Sequence, residues 1–248
     1  MRTLACFFIL FAAAWIPAIA APACKAQSGA RTVPLVELYT SEGCSSCPPA
    51  DRWFSRHIDD GSANWLAFHV DYWDDIGWRD RFGDPRFSRR QYARVHAVGE
   101  RTVYTPQVMV GADIRAPWRS GIDADLGKAS GPASASLTLQ YLPDADGGKL
   151  ALGAARAGAS GEAQVWLAQF SDDQNTTVAA GENAGATLHH DRVVRQVWGP
   201  WRLDSSVISR RVAMHAPSPR WGVTAVVQDA QGRIWQSLNL PASDCASR

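Results

Sequence analysis

The residues with the most direct chemistry are two cysteines three positions apart, Cys44 and Cys47, with Ser45-Ser46 between them. A Cys-x-x-Cys pair between a strand and a helix is a redox arrangement: the upstream thiol attacks a disulfide and the downstream thiol resolves the mixed species. The three-residue step lets the sulfurs meet with little backbone movement. A following helix favours thiolate over thiol through its unpaired amides and positive end. Other readings use the same residues. The pair could be a permanent structural disulfide in a protein whose job is binding, or half of a zinc site. Zinc needs four ligands, and the nearest histidine pair, His189-His190, is far along the chain. Soft thiolates also suit Cu(I), but no histidine ligand can be placed beside them. No metal or cofactor is therefore expected.

The compartment decides how the other cysteines are read. Arg2 precedes an apolar run over residues 4–16, and Ala18-Ile19-Ala20 offers the small-x-small cleavage pattern of a secretory signal, assigning residues 1–20 to a signal peptide. The run is short for a bilayer-spanning helix, which needs about 20 apolar residues, so no stable membrane span is expected once the signal is removed. Ala21-Pro22-Ala23-Cys24 could alternatively be a lipoprotein cleavage site, although the usual branched aliphatic residue three places before the cysteine is missing. The expected location is the periplasm or the exterior. Of the five cysteines, Cys6 leaves with the signal. Cys24, Cys44, Cys47 and Cys245 remain, an even set in an oxidising compartment. A Cys24–Cys245 disulfide and two free thiols on frayed ends both stay open.

Around the cysteines the pattern alternates between strand-like and helix-like. Residues 34–40 and 65–70 read as buried strands, and a helical face of Ala50, Trp53, Phe54, His57 and Ile58 follows Pro48-Pro49. Asp84-Pro85 is an N-cap with proline in the first helical position, opening a helix to about residue 98. Strands at 107–110 and 113–115 and a helix at 120–129 close a β-α-β-α-β-β-α order, a mixed sheet covered by helices. Beyond Gly131-Pro132 helical periodicity stops. Short alternating runs at 134–142, 164–170, 192–197, 206–212, 221–227 and 234–238 argue for an antiparallel sandwich. The expected organisation is thus a linker at 21–32, an α/β domain at 33–130, an all-β sandwich domain at 131–241 and a tail at 242–248. With 25 basic and 24 acidic residues spread evenly, no basic patch exists for phosphate-driven nucleic-acid binding.

Residues 37–51 (ELYTSEGCSSCPPAD), His69-Val70-Asp71-Tyr72-Trp73-Asp74, Gly77-Trp78, Val103-Tyr104-Thr105-Pro106-Gln107 and Gly181-Glu182-Asn183 together resemble a family of secreted bacterial proteins known only as domain-of-unknown-function family 1223. The resemblance implies a thioredoxin-like first domain. It also implies a cis-proline at Pro106 facing the Cys-x-x-Cys loop, with Thr105 and Pro106 contacting substrate; the local sequence alone reads as a trans proline opening a strand. In such a fold Asp71, after the second strand, could transfer a proton to or from Cys47. Asp74, Asp75 and Asp80 read as a solvated acidic loop and His69 as a satisfied core histidine. Ser45-Ser46 replaces the Gly-Pro usual in thioredoxins. Pro48-Pro49 removes two amide donors, which places Cys44 in a loop ahead of the helix. The expectation is an exported thiol–disulfide oxidoreductase acting on protein thiols, protein disulfides or a redox partner protein.

Overall fold

The computed structural model describes residues 24–143, 148–158, 161–204, 207–214 and 220–246. Residues 1–20, read from the sequence as a signal peptide, and residues 21–23 and 247–248 lie outside these described residues.

The stretch expected as a linker carries a strand, β1 (Cys24–Gln27). Every residue of β2 (Leu35–Thr40) is buried. Its alternation sends Leu35 and Tyr39 to one face of the sheet and Val36 and Leu38 to the other, as period-2 side chains must. The chain then passes through the Cys-x-x-Cys loop into α1 (Pro48–Ser55), crosses β3 (Asn64–His69) and enters α2 (Pro85–Ala97). The Asp84 side chain caps α2 by accepting the Arg86 amide at 2.7 Å, as its sequence signature predicts. β4 (Gln107–Val110) ends at Gly111, whose φ of +56° turns the chain back. There the expected strand at 113–115 is only a single bridge between Val110 and Asp113. After α3 (Asp123–Ala129) come β5 (Ala135–Leu142), β6 (Lys149–Arg156), β7 (Gln164–Ser171), β8 (Gln174–Thr177), β9 (Thr187–His190), β10 (Val193–Arg202), β11 (Val207–Ala213), β12 (Trp221–Gln228) and β13 (Ile234–Pro241), then a short α4 (Ser243–Ala246).

These strands overturn the expected fold class. The described residues are mostly β, with 42% strand and 15% helix, so an α/β thioredoxin-like domain followed by an all-β sandwich does not describe them. One seven-stranded mixed sheet runs β13-β12-β7-β10-β3-β2-β4 and draws strands from both sides of residue 131. The join lies at β10, which is parallel to β3 where Val193 meets Ala67 and antiparallel to β7 on its other side. The Ala67 amide also donates to the Arg192 carbonyl at 2.9 Å. Period-2 patterns identify strands but carry no information about which distant strand becomes a neighbour, and that is where the reading failed.

Among the described residues two further sheets form: a four-stranded one ordered β1-β5-β6-β11 and the β8-β9 hairpin. The four-stranded sheet buries Leu137, Leu139, Leu150 and Leu152 against Val165, Leu167, Val223 and Val227 of the large sheet. On the opposite face α2 packs Phe87 and Val95 against Phe68, Met109 and Trp166. Around β2, β3 and β4, α1 and α3 add Trp53, Phe54 and Leu126 to a third cluster. Glu37 is buried within salt-bridge reach of Arg90 (2.6 Å) and Arg94 (3.1 Å), fixing α2 to β2.

Cys24 and Cys245 form a disulfide across 221 residues, joining β1 to α4. Closing so long a loop restricts the unfolded chain by about 5 kcal/mol in the chain-entropy model. Replacing both cysteines with serine is expected to lower the melting temperature by on the order of 10 °C, read by calorimetry. A melting temperature unchanged within error would mean that the bridge adds no net stability.

Candidate functional site

The C-terminal ends of β2 and β3 and the start of β4 meet beneath the loop of residues 41–47. Cys44 and Cys47 are joined by a disulfide. The Cys44 amide donates to the Ser41 carbonyl at 3.2 Å and the Cys47 amide to the Cys44 carbonyl at 3.1 Å, a tight turn. Cys47 is the N-cap of α1 and makes no side-chain capping bond. Its carbonyl accepts the Ala50 and Asp51 amides at 2.8 and 3.1 Å. Pro48 and Pro49, which have no N–H, occupy the first turn, so Cys44 stands ahead of a helix end poor in donors. What faces its sulfur is the Ser46 hydroxyl, at 3.3 Å from Cys44 Sγ. Both cysteines are fully buried, with relative exposure of 0%, whereas Ser45 and Ser46 are exposed.

Thr105-Pro106 is a cis peptide. Ser46 Oγ donates to the Thr105 carbonyl at 3.4 Å, and the Trp73 indole donates to Thr105 Oγ1 at 2.8 Å. Gln91 of α2 holds the segment from behind through the Tyr104 carbonyl and the Gln107 side chain, at 2.9 and 2.7 Å. Gly43 lets the loop approach Trp73 closely: a Cβ on it would lie 3.1 Å from Trp73 Cβ.

The fourth contributor is the tip of the β8-β9 hairpin. Glu182 accepts the Ser45 amide at 3.1 Å. Asn183 Nδ2 donates to the Glu42 carbonyl at 2.8 Å and to the Cys44 carbonyl at 3.0 Å. The loop after β3 approaches the same tip, since a Cβ on Gly77 would lie 3.3 Å from Gly181 Cα.

Beneath the disulfide lies a buried ionisable cluster of Glu42, Asp51, His69, Asp80 and His190. Asp80 accepts from His69 Nδ1 at 2.6 Å and from the amides of Glu42 and Phe82 at 2.9 Å each. His190 lies 3.6 Å from Glu42 and 3.9 Å from Asp51. Thr40 donates to Asp51 at 2.8 Å and Trp78 to Glu42 at 2.9 Å. The rings of His69 and His190 are 4.8 Å apart, and both pack edge-on to Phe82. Among the described residues, Glu42 Oε1, Asp51 Oδ2, His69 Nε2 and both His190 nitrogens have no protein hydrogen-bond partner. Among the described residues no group of three or more His, Cys, Asp or Glu side chains is arranged to hold a metal ion.

The residues singled out in the sequence are therefore brought together unevenly. Cys44, Cys47, Thr105 and Pro106 converge. Asp71 does not join the buried cluster: its carboxylate accepts from Ser88 Oγ of α2, and its amide donates to the same hydroxyl at 3.1 Å. Asp80, read as part of a solvated loop, is buried as the hub of the cluster. The sequence alone gives no role to Ser46, Glu42, Asp51, His190, Glu182 or Asn183, although the Gly181-Glu182-Asn183 motif marks the last two.

A family model described as a protein of unknown function, DUF1223, matches residues 35–228. The chain belongs to the DUF1223 family. A DUF1223 match therefore runs from β2 to the end of β12, through the loop, the cluster and the hairpin tip. The crystal structure of an Agrobacterium tumefaciens protein, a structural-genomics target, is similar at 25% identity with a TM-score of 0.62, covering 84% of the DUF1223 chain and 94% of its own. None of the curated proteins compared with the chain matches it.

Charge in the DUF1223 cluster is set by burial and by what opposes it. Burial pushes the Asp51 carboxyl up, with His190 and His69 only partly opposing. Burial also acts on Glu42, but the His190 ring 3.6 Å away and the hydrogen bond donated by the Trp78 indole outweigh it and lower the pKa. For Asp80, burial is overcome by the His69 charge and hydrogen bond and by two amides, holding the carboxyl at about 2. His69 is raised, because Asp80 outweighs burial. The Asp80 carboxyl is depressed on folding, so its contribution is complete above its unfolded value near 3.9 and fades as pH falls through about 2. Its size is about 2 kcal/mol. His69 contributes in the opposite sense: its share is full below an unfolded value near 6.5 and is lost as pH rises through the raised folded one. Asp80→Asn is expected to melt lower than the parent at neutral pH and to converge with it by about pH 2. Thermal melts across that range check this; parallel curves would mean the carboxylate charge is not what holds the loop.

Proposed function

We propose that this protein is an exported thiol–disulfide oxidoreductase whose working couple is Cys44–Cys47, acting on protein thiols or disulfides in the periplasm or outside the cell. The observation that carries the reading is the loop itself. The disulfide is spanned by two exposed serines, and the hydroxyl of one stands 3.3 Å from Cys44 Sγ and 3.4 Å from the Thr105 carbonyl. A hydroxyl in that position can donate to a Cys44 thiolate, the function that proline-blocked helix amides do not serve here. The two disulfides suit an oxidising compartment.

In the reductive direction, a partner thiolate bonds to Cys44 Sγ. The Cys44–Cys47 bond breaks with its electron pair on Cys47 Sγ, which takes a proton. A second partner thiolate then attacks the partner sulfur of the mixed disulfide and releases Cys44 as thiolate. Two partner thiols leave as a disulfide, and two electrons stay on the dithiol. Thr105 and Pro106 line the loop and are the proposed substrate contacts. Asp71 is committed to Ser88, and Asp51, adjacent in α1, takes its place as the carboxyl nearest in the chain to Cys47.

One observation favours a second reading: both sulfurs are fully buried, which suits a permanent clip in a binding protein. The two separate by trapping. Cys47→Ala leaves an attacking Cys44 that cannot be resolved, so mixed disulfides with partner proteins are expected to accumulate, while Cys44→Ala is expected to accumulate at least tenfold fewer. Non-reducing electrophoresis with mass spectrometry reads both. Equal trapping by the two variants, or none by either, assigns the pair to the clip.

A further inference from the structure

The hairpin tip is built onto the Cys-x-x-Cys loop in a specific chemical form. Glu182 offers a carboxylate oxygen to the Ser45 N–H, and Asn183 offers a primary-amide N–H to the Cys44 and Glu42 carbonyls, at 3.1, 3.0 and 2.8 Å. An acceptor and a donor presented side by side to the backbone of residues 42–45 are what one edge of an extended peptide presents to another. The tip is exposed, yet it is not loose. β8 pairs with β9 in register from Gln174–His190 to Thr177–Thr187. Val178 and Ala186 continue the ladder at 2.9 Å, and the Ala186 amide turns back to the Asn183 carbonyl at 3.1 Å. At the base, His190 is buried in the ionisable cluster, and Arg81 reaches the Asn175 carbonyl at 3.1 Å. An exposed tip on a rigid stem is therefore held against a disulfide with no exposed surface.

Resting on the oxidoreductase reading, we infer that Glu182 and Asn183 are specificity-determining residues that occupy the hydrogen-bond positions of a polypeptide substrate. An extended chain carrying a cysteine can displace the tip and replace its bonds with a backbone carbonyl to Ser45 and a backbone N–H to Cys44. A thiol without a peptide backbone breaks those bonds and replaces none. The site accordingly takes cysteine within a polypeptide and discriminates against small thiols, because polar groups stripped of a partner are costly to leave unmade.

The test compares 2-mercaptoethanol with an acetylated, amidated nine-residue peptide bearing one central cysteine. Each reacts with the oxidised full chain; the reaction is quenched by alkylation, and labelling at Cys44 and Cys47 is read by peptide mapping. Asn183→Ala and the exposed-position variant Glu182→Gln are compared with the parent, with melting curves confirming that each is folded. The expected result is at least a tenfold gain in the 2-mercaptoethanol rate for Asn183→Ala with less than a threefold change for the peptide, so that the preference for peptide collapses. Equal gains for both thiols would make the tip a general barrier and overturn the inferred substrate class. Unchanged rates in both variants would overturn any role of the tip while leaving exchange at Cys44 intact. A disulfide that neither thiol reduces in parent or variants without unfolding would overturn the inference together with the oxidoreductase reading beneath it.

Discussion

The arrangement of the site depends on the buried Asp80 carboxylate. It accepts from the His69 ring at the end of β3, from the Glu42 amide just past β2, and from the Phe82 amide ahead of α2. One anion thereby ties the loop of residues 80–82 to the end of β3 and to the segment just past β2. Desolvating a carboxylate is repaid only when its lone pairs are filled and a cation is close, and here both conditions are met. Its own amide is taken by Asp74 at 3.1 Å, so the loop carrying Trp73, Gly77 and Trp78 is folded back toward the disulfide. From this follow the Trp73–Thr105 contact and the approach of Gly77 to the hairpin tip.

A second constraint is the placement of β10 beside β3. It extends the sheet past the strands that carry the cysteine loop and, through the preceding β9, inserts His190 between Glu42 and Asp51. The cluster is thus assembled from segments more than a hundred residues apart. Several of its buried polar atoms face one another without a hydrogen bond to another protein group. Glu42 and Asp51 of this cluster flank the Cys-x-x-Cys pair in the chain, two residues before Cys44 and four after Cys47.

What was legible in the sequence was local. Asp84-Pro85 announced α2, the short apolar, β-favouring run at residues 34–40 announced β2, and the Cys-x-x-Cys spacing announced the cysteine pair. What was not legible was long-range. Gln174–Thr177 and Thr187–His190 are polar and carry no hydrophobic alternation, so the hairpin left no period-2 signal. Asp80 looks like any exposed acid in a loop rich in aspartate; only its partners, 11 and 38 residues away in sequence, bury it. The fold class failed for the same reason. Strands on both sides of residue 131 were recognised as strands, but their membership in one sheet depends on the meeting of β10 with β3.

The Cys24–Cys245 bond makes the described part of the molecule a covalent ring. A protease that cuts one exposed loop inside that ring converts it into two segments that stay attached, with every strand pairing still available to hold them in place. Such a nick adds the mass of one water and releases nothing until the bridge is reduced. In a compartment shared with proteases, the ring turns a first cleavage from a loss of part of the fold into a local opening of one loop.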